Sequence, residues 1–250
     1  MNTSHPSPAF EAAIVVAKEA DSWILRAADV TALGDADFEP QALSLQGRII
    51  ATQRGRGVTY FVTPNPHSTQ ERWVLRHYRR GGFIGKWNRD LYFAPALNQT
   101  RAYRELALLN ELYQRALPVP RPIGARVKFC SGFYRADLIT QAIPEAIALA
   151  DWPATDWTAR LGQSVGQTIR RFHAQGIWHA DLNAKNILLT PTAAVYLIDF
   201  DRSARRPLGD WTQGNVRRLH RSLVKLACDR QPGFDDFWRA LDEAARLPPL

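Results

Sequence analysis

Between His179 and Asp201 the chain reads His179-Ala180-Asp181-Leu182-Asn183-Ala184-Lys185-Asn186-Ile187-Leu188-Leu189, turns at Pro191-Thr192, and returns as Val195-Tyr196-Leu197-Ile198-Asp199-Phe200-Asp201. Two short apolar runs around a turn predict a small hairpin, which would bring Asp199 back towards Asn186. Taken singly, His179, Asp181, Asn186 and Asp199 say little, because an Asp in a polar loop or at a strand end is commonly a turn or cap residue. Together they form one long ordered string, H-x-D-L-x-x-x-N followed by an apolar strand ending in D-F. The spacing has a chemical reason. An Asp accepts a hydroxyl proton, an Asn five residues on holds a metal, and the acidic strand end supplies a second metal ligand. That combination points to nucleotide-dependent phosphoryl transfer, with Asp181 as base and Asn186 and Asp199 as metal ligands.

A chain of 250 residues with 46% hydrophobic composition can bury a core as one domain or as two closely packed lobes. Its start contains Pro6 and Pro8 and no basic region ahead of an apolar run, unlike a secretory signal. No apolar stretch approaches the roughly 18 residues needed to span a bilayer. The expectation is a protein kept in the cytoplasm, with Cys130 and Cys228 as reduced structural thiols. A formal charge of +8 implies attraction to something anionic. Nucleic acid is the weakest candidate, since no zinc-finger spacing or single-strand-binding motif occurs.

Gly47 to Thr63 reads as two strands, 48–52 and 58–63, joined through Arg54-Gly55-Arg56-Gly57. Gly55 and Gly57 either let the backbone approach phosphates or simply make a turn. Trp73 to Tyr78 is the next strand. From Gln99 to Leu117, apolar Ala102, Leu106, Leu109, Tyr113 and Ala116 recur at helical steps until Pro118 and Pro120 stop the pattern. Glu105 lies at the border of that apolar line, where it either pairs with a cation of the sheet or faces solvent. Strands are predicted over 127–133 and 134–141, and Pro144 ends the pairing there. A helix over 158–175, with Gly176 as its cap, delivers the chain to His179. Helices over 214–228 and 234–247 follow. In the first of these, Val216, Leu219, Leu223 and Leu226 line one face and Arg217, Arg218, Arg221 and Lys225 another. That pattern fits either a basic stripe facing a membrane or an apolar face buried in the fold with solvated charges.

The residues from about Gly47 to Cys228 resemble the eukaryotic-protein-kinase-like superfamily. Within it, they are similar to the bacterial 3-deoxy-D-manno-octulosonic acid (Kdo) kinases. The matches are Val74-Leu75-Arg76-His77-Tyr78-Arg79-Arg80-Gly81-Gly82, Leu117-Pro118-Val119-Pro120-Arg121-Pro122, Trp178-His179-Ala180-Asp181-Leu182-Asn183, and Tyr196-Leu197-Ile198-Asp199-Phe200-Asp201. The resemblance implies an α+β, two-lobed protein-kinase-like fold, with an antiparallel sheet N-lobe over 41–143 and a mainly helical C-lobe over 144–250. Outside the matched span, Trp23, Ile24 and Leu25 suggest that residues 1–40 are an N-terminal extension of which some packs on the fold. The resemblance further implies ATP and Mg²⁺ as cofactors, and transfer of the γ-phosphate to the 4-hydroxyl of Kdo on a lipid A precursor.

Carried over by the same resemblance, Asp181 is the catalytic base, Asn186 and Asp199 hold Mg²⁺, and His179 braces the loop. Gly55 and Gly57 sit in the phosphate-covering turn. Glu105 steadies the phosphate-binding cation. Two positions depart from the usual pattern. Arg76 stands where most kinases place Lys, and Asp201 replaces the Gly of D-F-G. Arginine grips phosphate through two donors but is bulkier than lysine, so Lys128 and Lys86 remain alternatives for that role. Lys185 either touches the γ-phosphate or is solvated.

An anionic glycolipid acceptor accounts for the basic balance, and implies peripheral association with the cytoplasmic face of the bacterial inner membrane. Two clusters are placed to meet it: Arg76, Arg79, Arg80, Lys86 and Arg89, and Arg202, Arg205 and Arg206. The rival readings are a soluble kinase of the aminoglycoside or choline type and a catalytically dead kinase-like binding module. A protein kinase fits less well, because few residues separate Asp199 from the next helix and no A-P-E triplet follows.

Overall fold

Ser22–Ala27 buries Ser22, Ile24, Leu25 and Ala27, the pattern of a strand with neighbours on both sides. The computed structural model describes residues 14–54, 57–66, 71–79, 90–93 and 96–247. These divide into two compact units, one of residues up to 111 with 120–142, the other of 112–119 with 143–247. The chain is α+β.

The first unit contains β1 (Ile14–Glu19), β2 (Ser22–Ala27), α1 (Pro40–Leu45), β3 (Ile49–Arg54), β4 (Val58–Val62), β5 (Trp73–His77), β6 (Tyr92–Phe93), α2 (Arg101–Gln114), β7 (Pro122–Cys130) and β8 (Phe133–Gln141). Its sheet runs β1-β2-β7-β8-β5-β4-β3, with β6 on β8, and every pairing is antiparallel. Residues 14–27, set apart in the sequence as part of an extension, are thus two strands of the sheet itself. β7 starts at Pro122, earlier than the predicted 127, since proline at the first position of a strand sacrifices little of the ladder.

Directly paired residues share a face of a sheet. Ile24, Trp73, Leu75 and Ile139 pack on one face with Val30, Phe38 and Leu43 from the segment that includes α1. Arg126 lies on that same side, buried, paired with Asp137 at 2.9 Å and with Asp35 at 3.2 Å. In α2 the predicted Ala102, Leu106 and Leu109 are buried. Tyr113 and Ala116 are exposed instead, because the helix ends at Gln114 and Leu112 and Leu117 take the buried places.

The second unit contains β9 (Ile147–Ala148), α3 (Ala159–Ala174), β10 (Ile177–Trp178), β11 (Ile187–Leu189), β12 (Val195–Leu197), β13 (Ala204–Arg205), α4 (Trp211–Lys225) and α5 (Phe234–Ala245). Thr158 caps α3 by accepting from the Leu161 N–H at 3.2 Å. α3 buries Leu161, Val165, Ile169 and Phe172, and α5 buries Phe234, Phe237 and Leu241. Glycine sets their spacing. A methyl on Gly162 would lie 2.0 Å from the Phe237 carbonyl oxygen, and one on Gly166 would lie 2.4 Å from that of Leu241. Among the described residues no helix is long and apolar enough to cross a membrane.

Candidate active site

The hairpin predicted from Pro191-Thr192 forms. β11 pairs antiparallel with β12, Ile187 opposite Leu197 and Leu189 opposite Val195. Its open end joins the two motif halves, because the Ile198 N–H donates to the Asn186 carbonyl at 3.0 Å. Asn186 reaches the other way: its Nδ2 donates to the Asp181 carbonyl at 2.9 Å, beside the Asn183 Nδ2 at 3.0 Å. With Nδ2 so committed, Oδ1 is the Asn186 atom left to meet a ligand. Asp199 follows Ile198 with φ 62°, a left-handed conformation that Asp tolerates better than most residues. Asp181, Asn186 and Asp199 therefore belong to one hydrogen-bonded loop.

His179 is the internal brace of that loop. Its Nδ1 accepts from the Asp181 N–H at 3.2 Å, so Nε2 carries the proton and donates to the Ile198 carbonyl at 3.0 Å. Acceptance at Nδ1 requires the neutral ring. Burial holds its pKa below the ordinary histidine value, against the opposing pull of the Ile198 carbonyl and nearby carboxylates. Phe200 lies 4.8 Å from His179 and 5.7 Å from Phe172, ring centre to ring centre, packing the residue after Asp199 into the core.

α4 holds the loop from outside, a feature that sequence reading missed. Asn215 Oδ1 accepts from the His179 N–H at 3.2 Å, and its Nδ2 donates to the His179 carbonyl at 2.9 Å. Arg218 Nη1 donates to Asp181 Oδ1 at 3.2 Å. Ser222 Oγ accepts from the Ala184 N–H at 3.2 Å. Positions 215, 218 and 222 share one helix face, so a single stripe grips the start, middle and end of the loop. The legible signal was an Asn inside an apolar helix pattern, in step with an Arg and a Ser. Val216, Leu219 and Leu223 are buried while Arg217, Arg218, Arg221 and Lys225 are exposed, the pattern of a helix docked by its apolar side.

The first unit carries Arg76, Glu105, Gly57 and Lys128 of the predicted residues. Arg76 Nη2 lies 2.6 Å from Glu105 Oε1, and the Tyr78 hydroxyl donates to Glu105 Oε2 at 2.5 Å. Glu105 is buried, so a charge-assisted pair is what its carboxylate requires. Register separates Lys128 from this group. Arg76 pairs with Leu138 and Leu138 with Ala125, which places Lys128, three residues further on, on the opposite face. There its ammonium lies 3.3 Å from both Asp35 and Glu39. Gly57 adjoins the Arg79 side chain, 3.1 Å from where a Cβ would stand. Lys185 is exposed on the turn after Asn183. Gly55 and Lys86, with Arg80 and Arg89, lie outside the described residues.

Among the described residues no cluster of three or more His, Cys, Asp or Glu side chains is arranged to hold a metal. Asn186 and Asp199 offer two hard oxygen ligands. That suits a cation which keeps waters and takes its remaining ligands from phosphate, as Mg²⁺ does.

The model of the lipopolysaccharide kinase (Kdo/WaaP) family matches residues 40–240, a span that includes both groups just described. The chain belongs to that family. Similar members include the 3-deoxy-D-manno-octulosonic acid kinase of Mannheimia succiniciproducens, 44% identical over 197 residues, which are 75% of this chain and 80% of the relative. The protein of the same name from Photobacterium profundum is 37% identical over 227 residues, 88% of this chain and 91% of the relative. That of Vibrio cholerae is 38% identical over 195 residues, covering 76% and 80%. As a member of the Kdo/WaaP family, the protein is a phosphotransferase.

Proposed function

We propose that the protein transfers the γ-phosphate of ATP to the 4-hydroxyl of a Kdo residue on a lipid A precursor, during assembly of the lipopolysaccharide inner core. The observation that carries this reading is the bonded loop of Asp181, Asn186 and Asp199, found in a chain that aligns with Kdo kinases over most of its length. Phosphoryl transfer asks little covalent chemistry of a protein; alignment and charge neutralisation dominate. Asp181 accepts the proton of the attacking hydroxyl. Asn186 and Asp199 would hold Mg²⁺, which would supply positive charge to offset that of the transferring phosphate. Arg76, oriented by Glu105, takes a nucleotide phosphate through its fork of donors. The acceptor is an anionic glycolipid, and the protein meets it as a peripheral protein on the cytoplasmic face of the inner membrane.

The test is labelled phosphate transfer from ATP to a Kdo-lipid A precursor by wild type and Asp181→Asn. A positioned base contributes about 10²- to 10⁴-fold, and a loss in that range is expected. Equal labelling by the two proteins would refute the assignment of the base. Transfer to another sugar in preference to the Kdo acceptor would instead favour the aminoglycoside-type reading.

A further inference from the structure

Of the three α4 residues that hold the loop, Asn215 is buried and Ser222 half-buried, and both bond to backbone. Arg218 differs. It bonds to the carboxylate that serves as base, and the pair is open to solvent, with side chains 44% and 48% exposed for Arg218 and Asp181. An ion pair so exposed adds little to stability. Among the described residues the guanidinium makes this single hydrogen bond, through Nη1, so the donors of Nε and Nη2 are unspent on a side chain that is 44% exposed.

We infer that Arg218 is the anchor for the acceptor's carboxylate, a specificity-determining residue that reads the sugar acid while touching the base. The inference rests on the proposed acceptor and deepens it. In Kdo the acid group is carried on C2 and the reacting hydroxyl on C4, so the two are separated by one ring carbon. A carboxylate held by Nε and Nη2 stands across the guanidinium from Asp181 Oδ1, which leaves Oδ2 to receive the 4-hydroxyl proton. Electrostatics demand such a residue. An anionic sugar approaching an ionised Asp181 without an intervening cation is repelled. Arg218 lies between the two negative groups, neutral sugars gain nothing from it, and a lysine reproduces its charge but not its fork.

The test compares Kdo-lipid A precursor with the same lipid esterified to the uncharged methyl ester at the Kdo carboxyl, using wild type, Arg218→Gln and Arg218→Lys. Wild type is expected to show a KM for the ester about 10- to 100-fold above that for the acid. Arg218→Gln is expected to treat the two alike, at a KM close to that of wild type on the ester, and Arg218→Lys to recover only part of the preference. A loss in Arg218→Gln that is equal on acid and ester and confined to kcat would mean that Arg218 only orients Asp181, and would overturn the anchor alone. Unchanged kinetics in Arg218→Gln would overturn it as well. Wild-type protein inactive on the acid would overturn the Kdo acceptor and, with it, the anchor.

Discussion

Asn215→Ala isolates the clamp that α4 places on the catalytic loop. Asn215 is 3% exposed; its side chain accepts from the His179 N–H and donates to the His179 carbonyl, and it also meets the His173 ring. His179 is 2% exposed, so water does not readily replace either partner. Leaving a buried donor and a buried acceptor unmet costs about 1–3 kcal/mol each, for a total of about 2–6 kcal/mol. At about 2–4 °C per kcal/mol for a chain of this size, the melting temperature should fall by about 4–24 °C. Activity should fall too, because a displacement of about 1 Å in a catalytic loop costs on the order of 10²-fold. The assay pairs thermal unfolding and phosphate-transfer kinetics with hydrogen exchange, in which the His179 amide should lose protection before the rest of the unit. Arg217→Ala, an exposed neighbour on the same helix, is the control and should change stability by no more than about 0.5 kcal/mol. An Asn215→Ala protein with the melting temperature, kcat and His179 exchange rate of that control would show that the loop holds its shape without the clamp.

Burial lowers the His173 pKa from 6.5 to about 4, so on acidification the unfolded chain takes up a proton that the folded one refuses. That difference amounts to about 3 kcal/mol of stability, present above pH 6.5 and lost progressively down to pH 4; unfolding of wild type and His173→Phe across that range measures it. His77 has the opposite sign, since its bond to Asp137 raises its pKa: its contribution is complete below pH 6.5 and is lost as pH rises through the folded value, a slope that His77→Gln should remove. Gly162→Ala places a methyl 2.0 Å from the Phe237 carbonyl oxygen and should destabilise by about 1–3 kcal/mol in denaturant unfolding, whereas Gly214→Ala, with open space at the same test, should not. Flotation with anionic vesicles should weaken as salt rises; association unchanged in high salt would contradict peripheral, charge-driven binding.

The elements that sequence made legible were those whose pattern is local. A turn between two apolar runs predicts the β11–β12 hairpin, and a stripe of Leu161, Val165, Ile169 and Phe172 predicts α3, because hairpin and helix periodicity are written within a dozen residues. Pairing between distant segments is not written that way. Nothing near Trp23 says that β2 lies between β1 and β7, and nothing near Arg76 says that Glu105 lies within 2.6 Å of it. The fate of Lys128 shows the same limit. By composition it was a candidate for the phosphate cation, and only register assigns it to the other face of the sheet, with Asp35 and Glu39. Asn215 and Ser222 escaped notice because polar residues within an amphipathic helix read as surface until their partners are known.

The replacement of glycine by Asp201 acquires a physical meaning from what surrounds it. Glycine after D-F permits a backbone that can swing. Here the residues after Asp199 are tied down almost at once. Phe200 is buried between Phe172 and His179, the Ser203 N–H donates to the Phe200 carbonyl at 2.9 Å, and Ser203 Oγ accepts from the Ala180 N–H at 3.1 Å. Ala204 and Arg205 then pair with Trp178 and Ile177, immediately before the catalytic loop, and the chain enters α4 at Trp211. The Ala180–Ser203 bond and the Phe200–His179 contact return the segment to the loop that carries Asp181, and α4 grips that loop again through Asn215. In a kinase switched by its activation segment, the same stretch must have two arrangements of similar free energy. A segment held at Phe200, Ser203 and β13 gains nothing from a flexible residue at position 201. The fold instead spends its polar groups on a loop assembled before substrate arrives, which is what a dedicated sugar-phosphorylating enzyme requires and a regulated protein kinase does not.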